Sequence, residues 1–198
     1  MSSILWEAMF AIYMSAETEK VERYFDAGGS PNPNLGCLEE AVLKIENHDE
    51  HFTNDDLGLF WHLIDGGTLL TLAISAKHNR RFEMMELLIR RGAKVNDPKN
   101  IQELIYQSDL ELYKFMVEHG AELTSNPRVL LGALRKGSIE LLKYLYEVVG
   151  IRLSRGDYDV AQHIVQTRCQ SGCWPEIEVE LVEYLEKFAK RERKLSFQ

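Results

Sequence analysis

The stretch of residues 67–96 reads GTLLTLAISAKHNRRFEMMELLIRRGAKVN, and it decides the fold. Its first part is a largely apolar run, and its second part places Met84 and Leu88 at the spacing of a helix with one buried side. Gly92 stands just past this second segment, where a chain leaving a helix turns through a left-handed conformation that side chains disfavour. The stretch therefore predicts two short helices joined by a turn.

The same ending recurs along the chain, because glycines at positions 28, 92, 120 and 150 each follow an apolar helical segment. The last of these segments, which begins at Glu140, carries one extra residue before its glycine. A preceding helix is predicted in three of the units, at Leu69–Ala76, Ile101–Gln107 and Val129–Arg135. The Asn-Pro and Asp-Pro dipeptides that begin at positions 32, 97 and 126 are interpreted as turns between units.

The spacing of the glycines indicates a repeat protein. The last two intervals are close to 30 residues, whereas the first is about twice the ~33-residue period of short helical repeats. A degenerate repeat is therefore placed at 33–66, with helices at Leu38–Ile45 and Leu57–Ile64. We predict a single all-α domain that ends in a helix at 157–168 and an amphipathic helix from Pro175. The predicted repeats are about 4–32, 33–66, 67–97, 98–125 and 126–153, with a C-terminal cap at 157–195.

Residues 67–96 resemble an ankyrin repeat. They carry the Thr-x-Leu-x-x-Ala opening of that family at Thr68 and its Gly-Ala-x-Val-Asn close at Gly92. They depart from it at Leu69, where the family favours proline, and at Thr71, where it favours histidine. The other repeats keep only the pattern of apolar positions and the glycine. The resemblance implies an ankyrin-like helical solenoid of about five helix pairs that acts as a protein-binding module.

The composition of the chain limits which kinds of partner we expect it to bind and in which compartment we expect it. The formal net charge is −8 and the pI is about 5.3. A negative overall electrostatic field argues against binding the nucleic-acid backbone. The longest N-terminal apolar run, Ala8–Met14, is too short to span a membrane. Three cysteines are too few for a disulfide framework and favour a reducing compartment. We expect a cytoplasmic monomer, or a protein of the host cytoplasm if it is an effector.

No residue pattern indicates an enzyme, a metal centre or a cofactor site. Cys169 and Cys173, with His163 upstream, fit no common zinc spacing, and two partly buried cysteines around a turn explain them better. The histidines are scattered over different repeats, and the chain has no glycine-rich phosphate loop. We therefore expect no catalytic residue, no metal and no cofactor.

Basic residues collect where the first helices of the repeats end and the turns begin. The resemblance implies that such positions face the partner-binding groove, although charged turns exposed to water account for the pattern about equally well. If the groove interpretation holds, the partner presents an acidic surface. The acidic segment 39–56 is the competing site and would suit a basic partner. The predicted partner-binding residues are Lys77, His78, Arg80, Arg81, Lys99, Tyr106, Gln107, Arg128, Arg135 and Lys136.

Together these observations predict stoichiometric binding of another protein, with no role for nucleic acid or membrane. A small acidic repeat protein without an attached catalytic domain suits an inhibitor or an adaptor, such as an immunity protein or a pathogen effector. A structural scaffold subunit of a larger complex is the alternative, and an enzyme is a more distant one because no residues would carry the chemistry.

Overall fold

The structure, a computed structural model, describes residues 3–33, 67–171 and 183–184. These residues are helical and contain no strand, so the predicted all-α class is confirmed for them. Two π-helical turns, Ala11–Ser15 and Tyr144–Val149, extend two of the α-helices. The α-helices with described ends are α1 Ser3–Phe10, α2 Thr18–Asp26, α3 Leu69–Ser75, α4 Arg81–Arg90, α5 Pro98–Tyr106, α6 Leu110–Glu118, α7 Pro127–Lys136, α8 Ile139–Lys143 and α9 Arg155–Ser171.

The chain divides into two compact units. The first comprises the described residues up to Gln107 together with Leu112–Ala121, and therefore holds α1 to α5 and most of α6. The second comprises Ser108–Glu111 and the described residues from Glu122 onwards, and holds α7 to α9.

Helix α3 lies at the centre of the first unit. It packs against α4, against α5 and against the π-turn Ala11–Ser15, while α1 packs against α2. Every residue of α3 is buried, which explains why its sequence is almost continuously apolar instead of amphipathic. The helices predicted at Leu69–Ala76, Ile101–Gln107 and Val129–Arg135 are confirmed as α3, α5 and α7, to within one turn at each end.

Two of the three proline dipeptides, those that begin at positions 97 and 126, are helix starts and not free-standing turns. Asp97 and Asn126 cap α5 and α7, because their side chains accept hydrogen bonds from the Lys99 and Arg128 backbone N–H groups at 2.9 and 3.1 Å. The proline that follows each cap is the first helical residue, where its missing N–H has no intrahelical partner to lose. The turn interpretation of these two dipeptides is therefore corrected, because each proline already belongs to the helix that follows.

The repeated glycines end the second helices as predicted. Gly92 and Gly120 have φ angles of 94° and 91°, in the left-handed region. The N–H groups of the residues that follow them, Ala93 and Ala121, donate back to carbonyl oxygens in the last turns of α4 and α6, each at 2.9 Å. These hydrogen bonds satisfy carbonyl groups that would otherwise have no partner at the end of the helix.

An asparagine after such a glycine links neighbouring repeats in the first unit. The Asn96 side chain donates to the Gly120 carbonyl at 2.9 Å, and the Asn32 side chain donates to the Gly92 carbonyl at 3.0 Å. Asn32 also accepts from the Lys94 backbone N–H at 2.9 Å. The predicted repeats 4–32 and 67–97 are thus in direct contact, although the predicted register places the repeat 33–66 between them. The repeat predicted at 33–66 lies outside the described residues and stays a prediction.

In the second unit, α9 packs against α7 and α7 packs against α8. Helix α9 confirms the helix predicted at 157–168 and buries Ala161 and Val165. The π-turn that follows α8 accommodates the extra residue noted before Gly150, because a π-helical turn holds one residue more than an α-helical turn over the same bonded span. Of the amphipathic helix predicted from Pro175, only residues 183–184 are described, and they are helical.

Candidate protein-binding surface

A buried polar cluster fixes α5 beside α3. Asn100, in the first turn of α5, is fully buried, and its Oδ1 accepts hydrogen bonds from the hydroxyl groups of Thr68 and Thr71 at 3.0 and 2.6 Å. Its Nδ2 donates to the Lys94 carbonyl at 2.8 Å. Thr68 and Thr71 also form a reciprocal capping box at the start of α3. The first turns of α3 and α5 are therefore held side by side.

A second set of bonds joins the other end of α3 to the end of α1. His78 Nε2 donates to the Ile12 carbonyl at 2.7 Å, which requires the tautomer with its proton on Nε2. Arg80 Nη1 donates to the carbonyl of Ala16 at 3.1 Å, while Arg80 Nε donates to Glu83 at 2.8 Å. The residues that follow α3 are therefore attached to the π-turn that follows α1.

These two sets of bonds bring the C-terminal ends of α1, α3 and α5 to one edge of the first unit. We define the inner-helix edge as Met14, Lys77 and Tyr106. Lys77 is the second residue after the end of α3, and Tyr106 is the last residue of α5. Met14 belongs to the π-turn that His78 contacts through Ile12.

The inner-helix edge exposes two large apolar side chains. Tyr106 is 60% exposed and Met14 is 41% exposed, although both side chains have large apolar bodies that burial would stabilise. Tyrosine and methionine are both enriched in the buried centres of protein interfaces. The edge therefore has the composition of a contact surface.

Hydrogen bonds flank Tyr106 at the end of α5. The Tyr113 hydroxyl donates to the Leu104 carbonyl at 2.7 Å, and Gln107 donates to the buried Glu103 side chain at 2.8 Å. Burial raises the pKa of Tyr113, so its hydroxyl keeps its proton and remains a donor. Tyr106 thus projects from a helix end whose neighbouring residues are hydrogen-bonded.

Lys77 is the cation of the inner-helix edge. Residues 67–107 contain seven Lys and Arg residues against four Asp and Glu residues, within a chain of net charge −8. The neighbouring cations are engaged: Arg80 pairs with Glu83, and the guanidinium of Arg81 lies 4.8 Å from the centre of the Phe82 ring. Lys77 is exposed and forms no ion pair with any other described residue.

The structure does not bring all the predicted partner-binding residues together. Lys99 lies in the first turn of α5, about 10 Å along the helix from Tyr106 at 1.5 Å per residue. In the second unit, Arg128 lies in the first turn of α7, whereas Arg135 and Lys136 form its exposed last turn. Within each unit, the predicted set is therefore divided between opposite helix ends.

Met14 is the member of the edge that the sequence pattern did not identify. It ends the N-terminal apolar run, in which Ala8, Met9, Ala11 and Ile12 are all fully buried. Phe10 and Tyr13 of the same run are half-buried, and Met14 is exposed within the π-turn. The available signal was the polar Ser15 that follows, which marks the end of the buried segment.

Other candidate chemistry is sparse in the described ranges. His119 stacks on Phe115 with ring centres 4.0 Å apart and bonds to the Phe115 carbonyl, while His163 is exposed. No group of three His, Cys, Asp or Glu side chains suited to a metal ion occurs among the residues that the structure describes. Cys173, the Cys169 side chain and the acidic segment 39–56 lie outside them.

Among the described helices, none combines the length and the apolar character needed to cross a membrane. No family model matches the chain, and comparison with curated proteins and with solved structures gave no match.

Proposed function

We propose that this chain is an ankyrin-like helical repeat protein that acts by stoichiometric binding of another protein. The observation that carries the proposal is the exposure of Tyr106 at the hydrogen-bonded end of α5. A tyrosine that is more than half exposed on a fixed backbone can bury much of its ring against a partner at low entropic cost, which is the usual property of an interface hot spot.

Two features of the first unit support the repeat architecture. Asn32 and Asn96 form the same bond to the glycine of the next described helix pair, and α3 and α5 begin at capped first turns that lie side by side. A unit that bonds its neighbour through the same residue type each time is typical of a solenoid. In such a protein, the helix ends of successive repeats form one continuous surface.

The second unit favours an adaptor over a simple inhibitor. Val148, in the π-turn after α8, is 71% exposed, and Val160 in α9 is also exposed. An exposed apolar side chain on each unit would allow two proteins to be held at once. A scaffold subunit is the related alternative, whereas an inhibitor would need only one of the two surfaces.

The test begins with purified full-length protein used as bait, followed by reconstitution with each captured protein in purified form. Sedimentation equilibrium should give a complex of defined stoichiometry. Tyr106→Ser should raise the Kd about 30-fold if Tyr106 is a hot spot. Val148→Ser serves as the matched variant in the second unit, and an adaptor should lose a different partner with each variant. If no purified protein forms a defined complex, the proposal is wrong.

A further inference from the structure

We infer that the helix pairs α1–α2 and α3–α4 are consecutive members of one stack, that residues 33–67 are therefore an insertion and not a repeat between them, and that the surface around Tyr106 is complete without this insertion. Only the last part rests on the proposed protein-binding function. The inference follows from the contacts between the two pairs, from the matching positions of two asparagines and from the spacing of the glycines.

The two helix pairs touch along both of their helices. Helix α3 packs directly against the π-turn Ala11–Ser15 that extends α1, and His78 bonds to the Ile12 carbonyl. Arg91, just after α4, lies 3.5 Å from the carboxylate of Asp26 at the end of α2. In a repeat protein each unit contacts only its neighbours, so a repeat formed by residues 33–66 would separate these two pairs.

The same bond joins α1–α2 to α3–α4 and α3–α4 to α5–α6. Asn32 stands four residues after Gly28 and donates to the Gly92 carbonyl at 3.0 Å. Asn96 stands four residues after Gly92 and donates to the Gly120 carbonyl at 2.9 Å. The first pair is therefore related to the second as the second is to the third, with no position left for a repeat between the first two.

The bounds of the insertion follow from the helix caps. Asp97, which caps α5, directly follows Asn96, whereas Thr68, which caps α3, stands 36 positions after Asn32. The 35 residues from 33 to 67 thus occur at a junction that has none in the next repeat. Without them, the glycine interval from 28 to 92 shortens from 64 to 29 residues, which lies between the 28 and 30 residues of the next two intervals.

The two ends of the insertion are tied to the same part of the stack. Asn32 accepts from the Lys94 backbone N–H at 2.9 Å, and the Lys94 carbonyl accepts from Asn100 at 2.8 Å. Asn100 in turn accepts from the Thr68 hydroxyl at 3.0 Å. The chain therefore leaves the stack and returns to it beside the first turn of α5, whereas Tyr106 is the last residue of that helix.

The insertion contains most of the net charge of the chain. It has eight acidic residues and one lysine, which gives −7 of the total of −8, so the rest of the chain has a net charge of −1. An apolar contact made by Tyr106 does not depend on this charge, and near 0.15 M salt charges are screened over about 8 Å. Removing the insertion should therefore leave the affinity of a partner bound through Tyr106 almost unchanged.

The test replaces residues 34–66 of the full-length chain with a twelve-residue Gly-Ser linker, which spans about 17–21 Å and cannot supply a helix pair. Urea unfolding is followed by circular dichroism. The linker variant should fold, with an unfolding midpoint within about 0.5 M of that of the full-length chain. Asn32→Ala should lower the midpoint by the same amount in both chains, about 0.5 M, because the bond to the Gly92 carbonyl is retained.

The control replaces the α5–α6 pair, residues 98–125, with the same linker. It should abolish cooperative unfolding, because it removes the buried Asn100 and uncovers α3. The first part of the inference is overturned if the linker variant of residues 34–66 does not fold, if the control folds equally well, or if Asn32→Ala has no effect in that variant.

The second part is tested with a purified partner whose binding Tyr106→Ser weakens. The linker variant of residues 34–66 should bind it with a Kd within about twofold of the full-length value, whereas a loss of about tenfold or more overturns this part. If no purified protein forms a complex with the full-length chain, the proposed function and the second part fail together. The unfolding experiments then still decide whether residues 33–67 are an insertion.

Discussion

The buried cluster around Asn100 offers a quantitative test of how α3 and α5 are aligned. Asn100 Oδ1 accepts from two threonine hydroxyl groups, and its Nδ2 donates to the Lys94 carbonyl. Truncation by Asn100→Ala removes one acceptor from two buried donors at once. Because a buried polar group without a partner is costly, we expect this substitution to be among the most destabilising in the first unit.

The magnitude follows from what the two hydroxyl groups can do afterwards. Thr68 Oγ1 and Thr71 Oγ1 lie 3.1 Å apart, so one hydroxyl can turn to donate to the other. One buried donor then remains unsatisfied, which costs about 1–3 kcal/mol, and the truncated side chain leaves a small cavity. The Lys94 carbonyl belongs to an exposed residue and can bond to water. We expect a total loss of about 2–4 kcal/mol in the free energy of unfolding.

A double-mutant cycle with Thr71→Val isolates the bond between α3 and α5. Thr71→Val also removes part of the capping box, but that loss occurs in both backgrounds and cancels in the cycle. The coupling energy between Thr71→Val and Asn100→Ala should be about 1–2 kcal/mol. It is measured by urea unfolding monitored by circular dichroism.

Ser75→Ala is the control for this cycle, because Ser75 is a buried hydroxyl that bonds only within its own helix, to the Thr71 carbonyl. It should cost less than about 1 kcal/mol and should not couple to Asn100→Ala. A coupling between Thr71→Val and Asn100→Ala below about 0.5 kcal/mol would refute the alignment of the two helices.

Two further substitutions test the backbone of the first unit, each by urea unfolding. Gly29→Ala should lower the free energy of unfolding by about 1–3 kcal/mol, because a β-carbon at this position would overlap the Tyr24 ring. That ring is held by the bond from its hydroxyl group to the Ser30 carbonyl. An unchanged unfolding midpoint would contradict this packing. Ala16→Gly should raise the free energy of unfolding by about 0.5–1 kcal/mol, because Ala16 has a φ of 56°, in the left-handed region that favours glycine. The control Ala8→Gly, inside α1, should lower it. A loss of stability in both variants would show that Ala16 is not strained.

The helices were predictable because their signals are local. The apolar run that forms α3 and the glycine that ends α4 can be identified from adjacent residues, and both predictions hold. The role of the proline dipeptides was less evident, because Asp97 followed by proline is equally compatible with a turn and with a capped helix start. Only the bond from the Lys99 backbone N–H to Asp97 distinguishes them.

The contacts between repeats could not be predicted, because they join residues that are far apart in the chain. Asn32 bonds to the Gly92 carbonyl, 60 positions away, and His78 bonds to Ile12, 66 positions away. Neither pair carries a spacing that a periodic pattern would reveal. Met14 was not identified for the same reason, since its π-turn approaches the end of α3 through the bond from His78 to the Ile12 carbonyl.

The buried cluster and the inner-helix edge lie at opposite ends of the same helices. The Asn100 cluster holds the first turns of α3 and α5, whereas Lys77 and Tyr106 occupy the other ends. A helix is stiff over this length, so alignment at one end sets the spacing at the other. Stability and recognition can therefore reside in separate residues. The exposed residues of the edge can therefore vary with the partner without disturbing the buried cluster.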